Sequence, residues 1–206
     1  MSRWAEQHES IETDCTVPKY LLPLIPVGGT VIDAGANIGT HTVAYGEKVG
    51  KEGHVYAFEP FRLAFECVEF NCRNLPQVRC FNAALGRSSG FAKVNLPNDA
   101  NMGTATIELA ADGVEVVTID SLPLLRCDFI KIDVEGFELE VLIGAMTTIT
   151  KFHPICFIEL NDATLRRVGL EKKDIMDFME HHNYRWSAFL DNPLQEPQID
   201  ILFTPI

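Results

Sequence analysis

Two clusters of residues in this 206-residue chain have the types and the spacing that chemistry needs. The first is Asp33-Ala34-Gly35-Ala36-Asn37-Ile38-Gly39, which follows the β-branched pair Val31-Ile32. An acid at a strand tip followed by Gly-x-Asn-x-Gly reads as a tight turn whose backbone can approach a ligand, since Gly35 and Gly39 have no Cβ to stand in the way. The next strand tip, Val55-Tyr56-Ala57-Phe58-Glu59-Pro60, again ends in a carboxylate. A turn after one strand and an acid after the next is how an α/β fold holds an adenosine ligand: Glu59 would accept both ribose hydroxyls. The plain alternative for Glu59 is an N-cap for the helix starting near Arg62. Asp33 is placed to accept from the ammonium of a methionine moiety, directly or through water. Asn82-Ala83-Ala84, after the third strand, would border an adenine ring, with small residues leaving space. The expected ligand is therefore S-adenosylmethionine. A dinucleotide fingerprint would carry glycine where Asn37 stands, so an NAD-dependent oxidoreductase is the weaker alternative.

The second cluster runs from Asp128 to Glu140, Asp-Phe-Ile-Lys-Ile-Asp-Val-Glu-Gly-Phe-Glu-Leu-Glu. Period two puts Lys131 and Asp133 on one face of an otherwise apolar strand. Burying charges without partners is costly, so the two are read either as an ion pair capping the sheet or as part of a reaction centre. The second reading follows from the rule that α/β sites lie beyond the carboxyl ends of strands, where strand order reverses. Asp133, Glu135 and Glu138 would crowd such a place, and their repulsion would raise pKa values into the general-base range. Asp133 or Glu135 would then take or orient the acceptor proton, with Lys131 tuning the charge. A third group, Glu159-Leu160-Asn161-Asp162, closes the following strand. Asp133, Glu159 and Asn161 have the hard oxygen donors of an Mg²⁺ site, where the ion would act as a Lewis acid on an acceptor hydroxyl. The alternative is that Asn161-Asp162 caps the next helix.

These residues need strands and turns to hold them. The patterning predicts strands at 30–34, 54–59, 78–82, 128–134 and 154–160, and helices at 40–49, 62–74, from 135 to about 149, and 172–182. Residues 91–119 change character: short strands at 91–96 and 115–119 flank a Gly- and Asn-rich loop at 98–106. The last two strands, 184–190 and 200–204, are too close for a crossover helix and are expected to be antiparallel. Strand–helix alternation ending in such a pair is the layout of class I methyltransferases, an α/β fold with a seven-stranded, mostly parallel sheet, an antiparallel last strand and helices on both faces. One domain, 25–206, follows a polar arm or capping segment at 1–24.

Composition excludes other classes. A formal net charge of −12 repels phosphate backbones, so no nucleic-acid partner is expected. Arg166, Arg167, Lys172 and Lys173 are interleaved with Glu171 and Asp174, the pattern of a solvated helix face. The first ten residues carry no apolar signal core, and no run is long enough to span a membrane. The six cysteines form no C-x-x-C pair, so reduced thiols in a cytoplasmic protein are expected rather than a zinc site. Oligomeric state is not legible.

Taken in order, Val-Ile-Asp-Ala-Gly-Ala-Asn-Ile-Gly-Thr-His-Thr, Val-Tyr-Ala-Phe-Glu-Pro, Asn-Ala-Ala-Leu-Gly and Asp-Phe-Ile-Lys-Ile-Asp-Val-Glu-Gly-Phe-Glu resemble the FkbM family of methyltransferases over roughly residues 25–160. The resemblance implies cofactor contacts for Asp33, Gly35, Asn37 and Glu59. It also implies O-methylation of hydroxyls on sugars, polyketides or related metabolites, with a small-molecule or carbohydrate acceptor as partner. The last 45 residues match only in layout, so the acceptor does not carry over. A catalytically inactive cofactor-binding or scaffold protein with the same fold is the alternative from another class.

Overall fold

The structure, a computed structural model, describes residues 16–95, 106–189 and 196–206. Its elements begin with α1 (Thr16–Leu21), then alternate: β1 (Thr30–Ala34), α2 (Thr40–Val49), β2 (His54–Phe58), α3 (Arg62–Asn71) and β3 (Val78–Phe81). Four strands follow without intervening helices: β4 (Ala83–Leu85), β5 (Gly90–Asn95), β6 (Thr106–Ala110) and β7 (Val114–Val117). Alternation resumes with β8 (Phe129–Ile132), α4 (Glu138–Ile143), α5 (Met146–Phe152), β9 (Ile155–Asn161), α6 (Asp162–Arg167) and α7 (Lys172–His181). The strands β10 (Tyr184–Ala188) and β11 (Gln198–Pro205) complete it.

The main sheet has seven strands in the order β10-β11-β9-β8-β1-β2-β3. Only β11 is reversed: it pairs antiparallel with β9 and β10, and the other pairs are parallel. The chain leaves β1 toward β2 and β3, then returns to add β8 on the other side. Strand order therefore reverses between β1 and β8, and a crevice opens there at the carboxyl ends. Period two divides the core between two helical layers. Val31, Phe129 and Phe157 pack with Leu21, Tyr45 and Val49 on one face. On the other, Ile32, Ala34, Ile130, Ile132 and Ile158 pack with Val141, Leu142, Ile149 and Met179. A sheet covered on both faces needs apolar side chains at nearly every position, which is why these strands read as continuous apolar runs. Asp33 and Lys131 break that rule, and both are buried.

Several expectations need correction. The segment 91–119 belongs to a second sheet, ordered β4-β7-β5-β6, which also recruits β4. Three small or aliphatic residues gave no strand signal for β4, and β6 begins at Thr106, the last residue of the expected loop; the rest of that loop lies outside the described residues. The helix expected from 135 to 149 is two helices. Asp120 causes the break: its carboxylate accepts the N–H groups of Thr147 and Thr148 at 2.9 and 2.8 Å, capping α5 from a distant turn. Gly144, at the junction, lies so close to another loop that a Cβ would stand 2.0 Å from the Gly86 carbonyl oxygen. Helix α3 stops at Asn71, three residues short of the expected end. Within the arm or capping segment expected at 1–24, Leu21 is fully buried against α2 and β1; residues 1–15 lie outside the described residues.

Candidate active site

The crevice is bounded by two βα turns lying side by side. In the first, after β1, Gly35, Asn37 and Gly39 have φ of +77°, +50° and +93°. In the second, after β8, Glu135 and Gly136 have φ of +53° and +102°. The turns touch: a Cβ on Gly35 would lie 1.8 Å from the carbonyl oxygen of Asp133. Gly35 is thus required by the neighbouring turn, not only by close approach of a ligand as its spacing suggested. Gly39 likewise makes room for Val68 of α3, whose Cγ2 would be 2.7 Å from an added Cβ, and Gly39 does not line the cavity.

The cavity is lined by Asn37, Glu59, Pro60 and Ala83–Leu85 and also by Asp133 and Glu135. Glu59 is 7% exposed. Its Oε2 accepts the Asn37 N–H and its Oε1 the Phe61 N–H, both at 2.8 Å. Each oxygen keeps a lone pair free, so bidentate acceptance of a ribose remains open. Burial pushes the Glu59 carboxyl up, and the two backbone N–H groups partly oppose that. The side-chain oxygen of Asn37 is buried with no partner among the described residues, and a buried acceptor left bare calls for a donor from a ligand. Asn82 plays another part than its neighbour: its Nδ2 donates to the carbonyls of Glu59 and Pro60 at 2.9 and 3.0 Å, bracing that turn, while Ala83 lines the cavity.

Beneath the turns lies a buried charge network. Asp33 and Lys131 are partners across β1 and β8. Lys131 Nζ donates to the Gly35 carbonyl at 2.7 Å, and stands 3.2 Å from Asp133 Oδ2 and 3.7 Å from Asp33 Oδ1. Burial alone would lower the Lys131 pKa, but the carboxylates of Asp133 and Asp33 outweigh it and hold the ammonium charged. Asp33 is fully buried and accepts the Thr42 hydroxyl at 2.6 Å, so it supports the turn from below rather than lining the cavity. His41, one helical turn before Tyr45, is pushed below its ordinary pKa by burial and by Lys131.

At the carboxyl ends of β8 and β9 the sheet register collects acids. Asp133 follows the Ile132–Ile158 pair by one residue, which sets it abreast of Glu159, and Glu159 is paired in turn with Asp200 of β11. Carboxylate oxygens of Asp133, Glu135 and Glu159 lie within 4.8 Å of one another. Burial and then Asp133 raise Glu135 to about 7 and Glu159 to about 8. The same two causes raise Asp200 to about 6. The expected metal ligand Asn161 is spent elsewhere: its Oδ1 accepts the Ala163 N–H at 2.8 Å and caps α6. Glu135 takes its place in the acid group.

Sequence reasoning missed Asp200, Pro60, Leu85 and Ile107 as neighbours of the site. Ile107 reaches the cavity from the second sheet, and only the alternation Thr-Ile-Glu-Leu-Ala could have hinted at it. Three of the four basic residues near 166–173 are paired, Arg166 and Lys172 with Asp162 and Lys173 with Asp177. No described helix is long and apolar enough to cross a membrane.

A seven-stranded sheet with one reversed strand, and a crevice where Gly-x-Asn-x-Gly meets an acid after β2, define the class I methyltransferase fold. A solved Streptococcus mutans structure in complex with SAH matches with a TM-score of 0.60 at 12% identity, covering 92% of this chain and 95% of that one. The crystal structure of the methyltransferase FkbM from Methylobacillus flagellatus KT matches with a TM-score of 0.59 at 18% identity, covering 90% of this chain and 50% of that one. The methyltransferase FkbM domain profile matches residues 33–186, and the chain belongs to that family. The hexuronic acid methyltransferase AglP of Haloferax volcanii is 30% identical over 152 residues, 69% of this chain and 58% of AglP. The chain thus spans little more than half the length of that relative.

Proposed function

We propose that this chain transfers a methyl group from S-adenosylmethionine to a hydroxyl of a carbohydrate or other small metabolite, in the cytoplasm. The observation that carries the reading is the cavity itself, which is lined both by the Glu59 carboxylate and by Asp133 and Glu135. S-adenosylmethionine supplies, when bound, a methyl carbon on a sulfonium. Glu59 would hold its ribose hydroxyls, and Asn37 would take a donor on its bare side-chain oxygen. Methyl transfer is a direct displacement, so most of the catalysis is alignment of acceptor oxygen, methyl carbon and sulfur. The chain's remaining task is the acceptor proton. Glu135, raised to about 7, has the affinity of a base that works near neutrality. Asp133, paired with Lys131, would orient the acceptor hydroxyl. The alternative use of the same acids is to hold a divalent cation on Asp133, Glu135 and Glu159, which would lower the acceptor's pKa in place of a base at Glu135; dialysis against EDTA, with Mg²⁺ added back, tests for it.

A carbohydrate acceptor is supported by membership of the family and by the likeness to AglP, a hexuronic acid methyltransferase. The test is a screen of hydroxylated acceptors, sugars first, with radiolabelled methyl donor, alongside calorimetry with S-adenosylhomocysteine. Binding without any labelled product would point to a scaffold protein. Asp133→Asn is expected to bind S-adenosylhomocysteine as wild type and to lose at least about tenfold in turnover. Wild-type turnover in that variant would remove Asp133 from the mechanism.

A further inference from the structure

Glu138 stands apart from the acids it was grouped with. It is 1% exposed and does not line the cavity. Its Oε1 accepts the Gly136 N–H at 2.9 Å, while its Oε2 is buried with no hydrogen-bond partner among the described residues; burial pushes this carboxyl up, and the Gly136 N–H partly opposes that. On its outer side the turn is walled by α6, where a Cβ on Gly136 would stand 2.8 Å from the Thr164 carbonyl oxygen. Between these two supports Glu135 sits in the left-handed region, at φ +53°. A non-glycine residue in that conformation costs about 1–3 kcal/mol and persists only where its surroundings impose it.

We propose that Glu138 is a positioning residue: its buried carboxylate holds the Asp133–Gly136 turn in the left-handed conformation that presents Asp133 and Glu135 to the cavity. This rests on reading those two acids as the reacting end. Glu138 lies outside the cavity lining and acts through the backbone of its own turn.

The experiment compares ¹⁵N-labelled wild type, Glu138→Gln and Glu138→Leu by amide shift and hydrogen exchange, with calorimetry of S-adenosylhomocysteine on the same samples. In Glu138→Leu the Gly136 amide is expected to exchange about tenfold faster and to move upfield, while Ile130 and Ile132 of β8 stay within about twofold. Glu138→Gln is expected to keep Gly136 protection within about threefold, because its amide oxygen accepts the same N–H, but to shift that proton upfield as the acceptor loses its charge. An unchanged Gly136 amide in either variant overturns the proposal. So does a loss of protection spread equally over β8 and α4, which marks general destabilisation. If Glu138→Leu does not fold, the Gly136 shift in Glu138→Gln decides alone. Failure of wild type to bind S-adenosylhomocysteine would count against the functional reading and leave the amide result standing.

Discussion

The two turns that bound the crevice solve one problem in opposite ways. Both follow a central parallel strand, both place residues at positive φ, and both are held by a glutamate that accepts a backbone N–H. Glu59 reaches the first turn from another strand, 22 residues away from Asn37. Glu138 lies two residues beyond the amide it holds. The long-range clamp leaves its carboxylate in the cavity, with lone pairs to spare for a ligand. The local clamp is buried and leaves the cavity to Asp133 and Glu135. Both glutamates are buried, so what separates a carboxylate facing the cavity from one that supports its wall is which side of the turn it lies on, not burial or residue type.

The comparison breaks most severely at the group that joins the turns. Lys131→Met removes the donor to Gly35 and leaves Asp33 fully buried beside Asp133 with no cation between them. Urea unfolding is expected to show a loss of about 3–5 kcal/mol. Adding Asp33→Asn should recover part of it, and a loss below about 1 kcal/mol would mean that the network does not link the turns.

Next comes the contact between the turns. Gly35→Ala drives a Cβ into the Asp133 carbonyl and forces alanine to φ +77°, whereas Gly136→Ala meets Thr164 at the looser 2.8 Å. Gly35→Ala is expected to cost about 3 kcal/mol and to abolish S-adenosylhomocysteine binding, with Gly136→Ala costing less. The reverse order, in thermal and calorimetric measurements, would show that the second turn is the stiffer one.

The last test is of pH dependence. Glu135, Glu159 and Asp200 have folded pKa values of about 7, 8 and 6, above those of the unfolded chain. Between the unfolded and folded values the native state binds more protons, so stability falls as pH rises. Unfolding midpoints are expected to decline gradually between about pH 5 and about pH 8.5, and Glu159→Gln to flatten the upper part of the decline. Lys131 faces the same groups and stays charged throughout this window, so it adds no slope of its own. A midpoint that rises across the window would mean that burial and mutual repulsion do not hold protons on the acid row.

Much of this was legible along the chain because it is local. Val31-Ile32-Asp33 is apolar and ends in an acid, Gly35 and Gly39 stop the strand, and Thr40–Val49 starts the helix, so strand, turn and helix follow from short-range propensity and period. The acids of the site could be named from their places after strands. Their roles could not. Whether Asn161 holds a metal or caps α6 is decided by which amide its oxygen meets. Where the helix after β8 breaks is decided by Asp120, from 27 residues away. Asp200 joined the acid row only when β11 was inserted against β9. The sequence by itself determined the fold class, the Gly-x-Asn-x-Gly turn after β1 and the family. Tertiary structure decided which carboxylates face the cavity and which are buried beneath it, because burial and register are properties of strands brought together from distant parts of the chain.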